Sequence, residues 1–428
     1  MMKQPRLPVT GGGIGSGVRS AAIAVSLIAA LGACDGLLDV DAASRIPASN
    51  LEGPGSADLL LAGAIGDFEC AFNAYTVLGG MIGEEFVDAT QTAARWPYDR
   101  RDVLPSDALY STFGCTGLGV YTPLSTARWA AENILSRLEG WTDAEVADRT
   151  SKIATAAAYA GYSNLLLGEG FCSGVLLDDN LDPGGEVSRA QMFERAVERF
   201  TRAIAAAQAS GNTDMLNTAL VGRARARLNL GQNAAAATDA EMVTLDFEQE
   251  IGASTIASRR QNRVFAQNNQ SQAVSIGPRY RNVTFGGVAD PRVPVTDGER
   301  TANEGTEIWL QGKYDGLDAS LPLATWDEAQ LIIAEARGGV TALAIINMFH
   351  DRAGLPPFIS ADEEEIQAHV IEERRRELFL ESHHLGDIIR YNLELEPATG
   401  TTFSKGGTYG TTTCLPLPEV ETLNNPNI

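Results

Sequence analysis

Residues Leu321 to Phe358 read LPLATWDEAQLIIAEARGGVTALAIINMFHDRAGLPPF, and Ile366 to Tyr391 read IQAHVIEERRRELFLESHHLGDIIRY, with a short acidic stretch between them. Three helix-period segments fall within this block. Trp326, Ala329, Ile333 and Ala336 recur at three- and four-residue steps until Gly338-Gly339 stops them. Ala342, Ile345, Ile346 and Phe349 repeat the pattern and end at Gly354, with Pro356-Pro357 beyond. The third segment opens at Ser360-Ala361-Asp362-Glu363, a capping-box spacing, and places its acids in the first turns, where the helix dipole favours them. At helical spacing Glu373/Arg376, Arg374/Glu377 and Asp387/Arg390 can pair along one face, so the charges predict a frame.

Outward from this block the chain is mostly helical. A helix is expected from about Ser56, with Leu59, Leu60, Phe68, Phe72 and Tyr75 in phase, interrupted by Gly79-Gly80 and Gly83. Thr90–Pro105 reads as a loop containing RWPYDRRD. Leu124, Ala127, Ala131, Ile134 and Leu138 mark the next helix, and another is expected to open at Thr142-Asp143-Ala144-Glu145. From Ser188, Phe193, Val197, Phe200, Ile204 and Ala207 form one stripe and Leu216, Leu220, Ala224 and Leu228 the next. With Gly231, Ala236 and Ala240 they resemble a degenerate tetratricopeptide unit. Residues 251–320 lose this periodicity and read as functional loops with small strands at VSIG and NVTF.

The net charge of −22 on 428 residues repels phosphate backbones, which argues against a nucleic-acid partner. Lys3, Arg6 and Arg19 followed by the apolar run Ala21–Ala33 read as a signal peptide over residues 1–33, because 13 residues are too few to span a bilayer. Leu31-Gly32-Ala33-Cys34 resembles a bacterial lipobox, which implies that Cys34 carries the acyl chains (palmitate among them) and that residues 34–55 are a lipidated tether. The body, 56–428, is expected to be a single domain. Cys70, Cys115, Cys172 and Cys414 remain, an even number in an exported protein. Four cysteines allow three pairings; the most local is Cys70–Cys115, leaving Cys172–Cys414. Metal-ligand spacings are absent from the sequence, and neither a metal nor a cofactor is expected.

Taken together these features resemble the SusD/RagB family of outer-membrane nutrient-uptake lipoproteins. The resemblance is carried by Ile333-Ala334-Glu335-Ala336, Ile346-Asn347, Arg352 to Leu355, Glu373-Arg374, Glu377-Leu378, Glu381, Asp387-Ile388 and Arg390, with weaker echoes at Asp290-Pro291-Arg292 and Leu415 to Glu421. Ser382 and His384 stand where the family usually has Gly and Arg. The resemblance implies a mostly α, SusD-like helical fold, with tetratricopeptide-like helix pairs at about 118–250 and 321–391 and a loop-rich, minor-β face. It implies a surface-facing, lipid-anchored outer-membrane protein that hands an oligosaccharide or other bulky nutrient to a SusC-like TonB-dependent β-barrel. A scaffold that binds other proteins, and a binder of peptides, are the alternatives.

Sugar capture needs flat aromatic faces beside amides and carboxylates. Trp96 and Tyr98 in one loop, and Tyr280, Trp309, Gln311 and Tyr314 in the other, are the expected ligand residues. Glu377 and Glu381 are a turn apart on one helix, whereas a glycosidase pair flanks its substrate. No catalytic residue is expected.

Overall fold

The computed structural model describes residues 51–178, 180–302 and 305–428. The leader, the lipobox at Cys34 and tether residues 34–50 lie outside the described residues. Gly53–Ile428 form one compact unit. Its helices are α1 (Ala57–Ile82), α2 (Trp96–Arg100), α3 (Tyr121–Gly140), α4 (Arg149–Gly170), α5 (Arg189–Ser210), α6 (Thr213–Asn229), α7 (Asn233–Ala240), α8 (Trp326–Arg337), α9 (Gly339–Ala353), α10 (Glu363–Glu377), α11 (His384–Tyr391) and α12 (Glu419–Asn424). The fold is mostly α, with paired helices and short strands. No helix among the described residues is long and apolar enough to cross a membrane.

From α3 to α10 each helix packs against the next in chain order, as in a tetratricopeptide stack. Local chemistry sets the turns. Ser188 and Gln191 form a reciprocal capping box at the start of α5, and Gly211 in the left-handed region ends it. Asn212 then accepts from the Met215 N–H at 3.0 Å and starts α6. Helix α1 is buried on every side from Phe68 onward, so it is the central rod rather than an amphipathic surface helix.

Several expectations are corrected. Gly79-Gly80 do not interrupt α1: a Cβ at Gly80 would lie 2.8 Å from the Phe86 ring, so glycine there permits close packing inside a continuous helix. Glu145 does accept from Thr142, through its N–H and its hydroxyl, but the pair closes only a turn. Helix α4 starts at Arg149, after Asp148 takes a left-handed conformation. The N-cap of α10 is Asp362, whose carboxylate accepts from the Glu364 and Glu365 N–H groups, and Ser360 lies outside the helix.

The stretch from Ile366 to Tyr391 is not one helix. Leu380 and Ser382 adopt φ of 58° and 68°, which breaks it into α10 and α11. Left-handed backbone is costly for residues with a Cβ, and long-range bonds hold it here. Glu85 accepts from the Leu380 N–H at 2.8 Å, the Tyr314 hydroxyl donates to the Leu380 carbonyl at 3.1 Å, and the Ser382 and Thr76 hydroxyls are 2.5 Å apart. The strained conformation at Ser382 is the one a glycine would adopt freely.

The strands form five antiparallel pairs among the described residues. β1 (Phe86–Asp88) pairs with β5 (Val274–Ile276), β2 (Ser173–Leu177) with β3 (Pro183–Ser188), and β4 (Glu248–Ile251) with β10 (Leu321–Thr325). β6 (Thr284–Phe285) pairs with β7 (Val288–Ala289), and β8 (Val295–Thr301) with β9 (Glu307–Gln311). The β4–β10 pair closes the base of the loop-rich segment, setting Leu321 opposite Ile251. Cys70 is bonded to Cys115 and Cys172 to Cys414. The second bond, with the Cys172 N–H donating to Leu415 O at 2.9 Å, ties the C-terminal tail to the end of α4.

Candidate functional site

The six residues expected to meet a ligand do not form one surface. Tyr98 is fully buried, and its hydroxyl accepts from the Tyr110 N–H at 3.0 Å. Tyr280 is buried between Phe379, stacked at 5.0 Å, and the Arg375 guanidinium. Gln311 gives its amide to Asn269 and the Tyr314 carbonyl and accepts from the Tyr314 N–H, while Tyr314 is committed to Leu380. These four are core residues, and Tyr280 and Tyr314 pin their loop to the α10–α11 turn. An aromatic in an aperiodic segment looks free in sequence, yet it is the residue with most to gain from burial.

Trp96 and Trp309 remain half-buried. The Trp96 indole N–H donates to the Thr90 carbonyl at 3.1 Å. Trp309 lies on β9 opposite Asp297, under the Arg281 guanidinium, and its backbone N–H donates to Ser275 Oγ at 2.8 Å. Between the two runs a charged seam: Asp88 bonds Arg95 at 2.6 Å and Lys405 at 3.1 Å, and its N–H donates to Asp99 at 2.8 Å. Burial, with Asp88 adding repulsion, pushes the Asp99 carboxyl up to about 7.

The charged block at 366–391 behaves as a frame, though through only one of the three pairs its spacing predicts. Asp387 and Arg390 do pair, at 2.7 Å. Glu373 instead takes Arg292 and His350, Arg376 reaches Asp290, and Arg374 turns to Asp387. Glu373, Arg374 and Arg376 are buried, so their charges need partners on the elements packed over them as well as along their own helix. His383 is buried against Arg225 and held well below the ordinary histidine range by desolvation and the neighbouring arginines. Glu377 and Glu381 line a cleft of about 450 Å³ with Asp246, Asp327, Trp326 and Arg352. Burial pushes Glu377 up to about 7. Three of its acids are engaged, however: Glu377 by Arg292 and Arg352, Asp327 by Arg352, and Glu381 by Lys313. These acids hold helices together.

A second groove, of about 580 Å³, has the chemistry the loops lack. It lies between the first half of α3, the β2–β3 hairpin and α12. Trp129 is 46% exposed on its wall, with Ser125, Thr122, Glu421 and Asn424 along the lining. The Tyr121 hydroxyl donates to Glu421 Oε2 at 2.7 Å, and Asn425 donates to Glu421 Oε1 at 3.2 Å and to Gly184 O at 2.8 Å, which fixes the carboxylate between them. An indole face beside a held carboxylate and an exposed amide can stack on the apolar face of a pyranose and bond its hydroxyls. Sequence reading missed this site. The signal was Trp129 itself, a large aromatic out of phase with the Leu124–Ala127–Ala131 stripe; the tail residue Glu421 that completes the groove is 292 positions further along the chain.

Residues 328–417 match the sequence model of the SusD family. Through that segment the chain is similar to the SusD/RagB family. A search of curated proteins finds no match. Among solved structures, a SusD superfamily protein from Bacteroides vulgatus is 15% identical, with a TM-score of 0.67 over 87% of this chain and 97% of the other. A laminarin-binding SusD-like protein is 15% identical, with a TM-score of 0.67 over 87% and 98%. A SusD homolog from Bacteroides thetaiotaomicron is also 15% identical, with a TM-score of 0.66 over 90% and 98%. At these identities the likeness is one of fold. The matched segment begins in α8 and runs to Leu417, so it contains His350, Glu373, Arg374, Arg376, Asp387 and Arg390 of the buried frame and stops short of α12.

Proposed function

We propose that this chain is a non-catalytic, lipid-anchored outer-membrane protein that captures a bulky nutrient, an oligosaccharide, and delivers it to a SusC-like TonB-dependent β-barrel. The observation that carries the capture step is the Trp129 groove, where an exposed indole meets a fixed carboxylate and an amide. The shared fold with a laminarin-binding protein supports a glucan as the first ligand to try. The engagement of Glu377, Glu381 and Asp327 in ion pairs supports binding over hydrolysis in the 450 Å³ cleft.

Titration calorimetry with laminarin and other soluble glycans tests the reading. Saturable heat that disappears in Trp129→Ala is the expected result. Binding of peptides with silence toward every glycan would sink the sugar assignment, and release of reducing ends would sink the non-catalytic one. Pull-down from solubilised outer membranes is expected to return a β-barrel partner; recovery of soluble proteins alone would favour the scaffold reading. Loss of membrane attachment in Cys34→Ala tests the anchor.

A further inference from the structure

His350 on α9 and His369 and Glu373 on α10 bring three ligand atoms together. His350 Nε2 is 2.9 Å from Glu373 Oε1, the two Nε2 atoms are 3.3 Å apart, and His369 Nε2 is 3.4 Å from the same carboxylate oxygen. Zinc takes His nitrogens and carboxylate oxygens at about 2.0–2.2 Å in tetrahedral geometry, which places neighbouring ligand atoms about 3.3 Å apart. The three observed separations therefore describe one face of such a tetrahedron. The sequence hides the set, because His350 and His369 sit on different helices with the Gly354–Asp362 connection between them.

Tautomer chemistry adds a second, independent observation. His350 Nδ1 lies 2.7 Å from the Pro356 carbonyl, which can only accept, so Nδ1 carries a proton. In the neutral ring Nε2 then points a lone pair at a carboxylate oxygen and at a second imidazole nitrogen. With His369 in its Nδ1–H tautomer, its Nε2 adds a third lone pair, and a cation among the three satisfies them all. A backbone carbonyl on the non-ligating nitrogen is also the usual support of a metal-bound histidine. The surroundings are built to hold the rings. His369 stacks on Phe358 at 4.0 Å, and Phe285 meets His350 edge-on at 4.4 Å. Arg292 donates to Glu373 Oε2 at 2.5 Å and, at 3.3 Å, to Oε1, anchoring the carboxylate while Oε1 faces the histidines. His350 and Glu373 are almost wholly buried, and His369 is the edge open to solvent.

We propose that His350, His369 and Glu373 form a structural site for a zinc-type divalent cation, which staples α9 to α10 beneath the β6–β7 hairpin. The competing account is a proton in place of the metal, carried by His350 Nε2 or His369 Nε2 and shared with Glu373. Full-length protein stripped with a chelator and titrated with Co²⁺ separates the two. The expected result is the intense visible absorbance of tetrahedral Co²⁺, saturating at one ion per chain and displaced by Zn²⁺. Melting temperature should rise with the metal, since it binds only the folded state. His369→Gln, the solvent-edge substitution, should remain folded by circular dichroism and bind about 100-fold more weakly, because even loss of a supporting partner costs about 10–100-fold. Absence of a tetrahedral spectrum in folded wild-type protein would overturn the site in favour of the proton. Undiminished binding in folded His369→Gln would overturn it by placing the metal elsewhere.

Discussion

Arg225 lays its guanidinium across both carboxylate oxygens of Glu169, at 2.8 and 2.6 Å, with both side chains almost entirely buried. The pair links α6 to the end of α4, and Arg225 also donates to the Ser382 carbonyl at 2.9 Å. One side chain thus joins the helix stack to the turn that breaks α10 from α11. Removing a single partner strands the other charge in a dry interior, at a cost of about 3–5 kcal/mol. Arg225→Met should lower stability by that order in urea unfolding, and Arg225→Met/Glu169→Leu should recover part of the loss.

Phe200 of α5 fits between two glycines. A Cβ at Gly161 would fall 2.7 Å from its ring, and one at Gly222 would fall inside ring contact as well. The helices α4, α5 and α6 approach closely because those side chains are absent. Gly222→Ala is expected to cost about 1–3 kcal/mol through overpacking. Adding Phe200→Leu should relieve part of that cost, and a cost unchanged by it in thermal unfolding would show that the ring is not the obstacle.

Asp99 offers a pH test with a definite sign. Its carboxyl is raised from 3.8 to about 7, chiefly by burial, so the folded state holds the proton more tightly than the unfolded chain. The stabilisation is complete below about 3.8 and is lost as pH rises toward about 7. Glu377, raised to about 7, and Glu328, raised to about 8, act in the same direction, so the Asp99 share must be isolated by substitution. Asp99→Asn keeps an acceptor for the Asp88 N–H. It should lose less stability than wild type between about pH 4 and 7, as read from urea midpoints across that range.

Trp129 separates the groove from the loops. Trp129→Ala should weaken glycan binding at least tenfold, about 1.4 kcal/mol or more, without changing the melting temperature, since the ring is half exposed. Trp96→Ala/Trp309→Ala should leave affinity near wild type and lower stability instead. The reverse pattern in calorimetry would move the site to the loops.

What the sequence determined by itself is local: which segments are helical, several of the glycines that end them (Gly211, Gly338 and Gly354 among them), and the order of the motifs. The stripe Phe193–Phe200–Ile204–Ala207 needed only a 3.6-residue period to be read, and it is buried as expected. Partners were decided by the tertiary structure. Glu373 chose Arg292 and His350 over Arg376, the Ser382 turn bent against its helical pattern, and Tyr98, Tyr280 and Tyr314 went to the core instead of a ligand. The physical reason is the same in each case. A buried charge, hydroxyl or ring is satisfied by whatever lies within a few ångströms in space, and Thr76 and Ser382, whose hydroxyls touch, are 306 residues apart in the chain. Periodicity carries the face a residue presents. It does not carry what that face will meet.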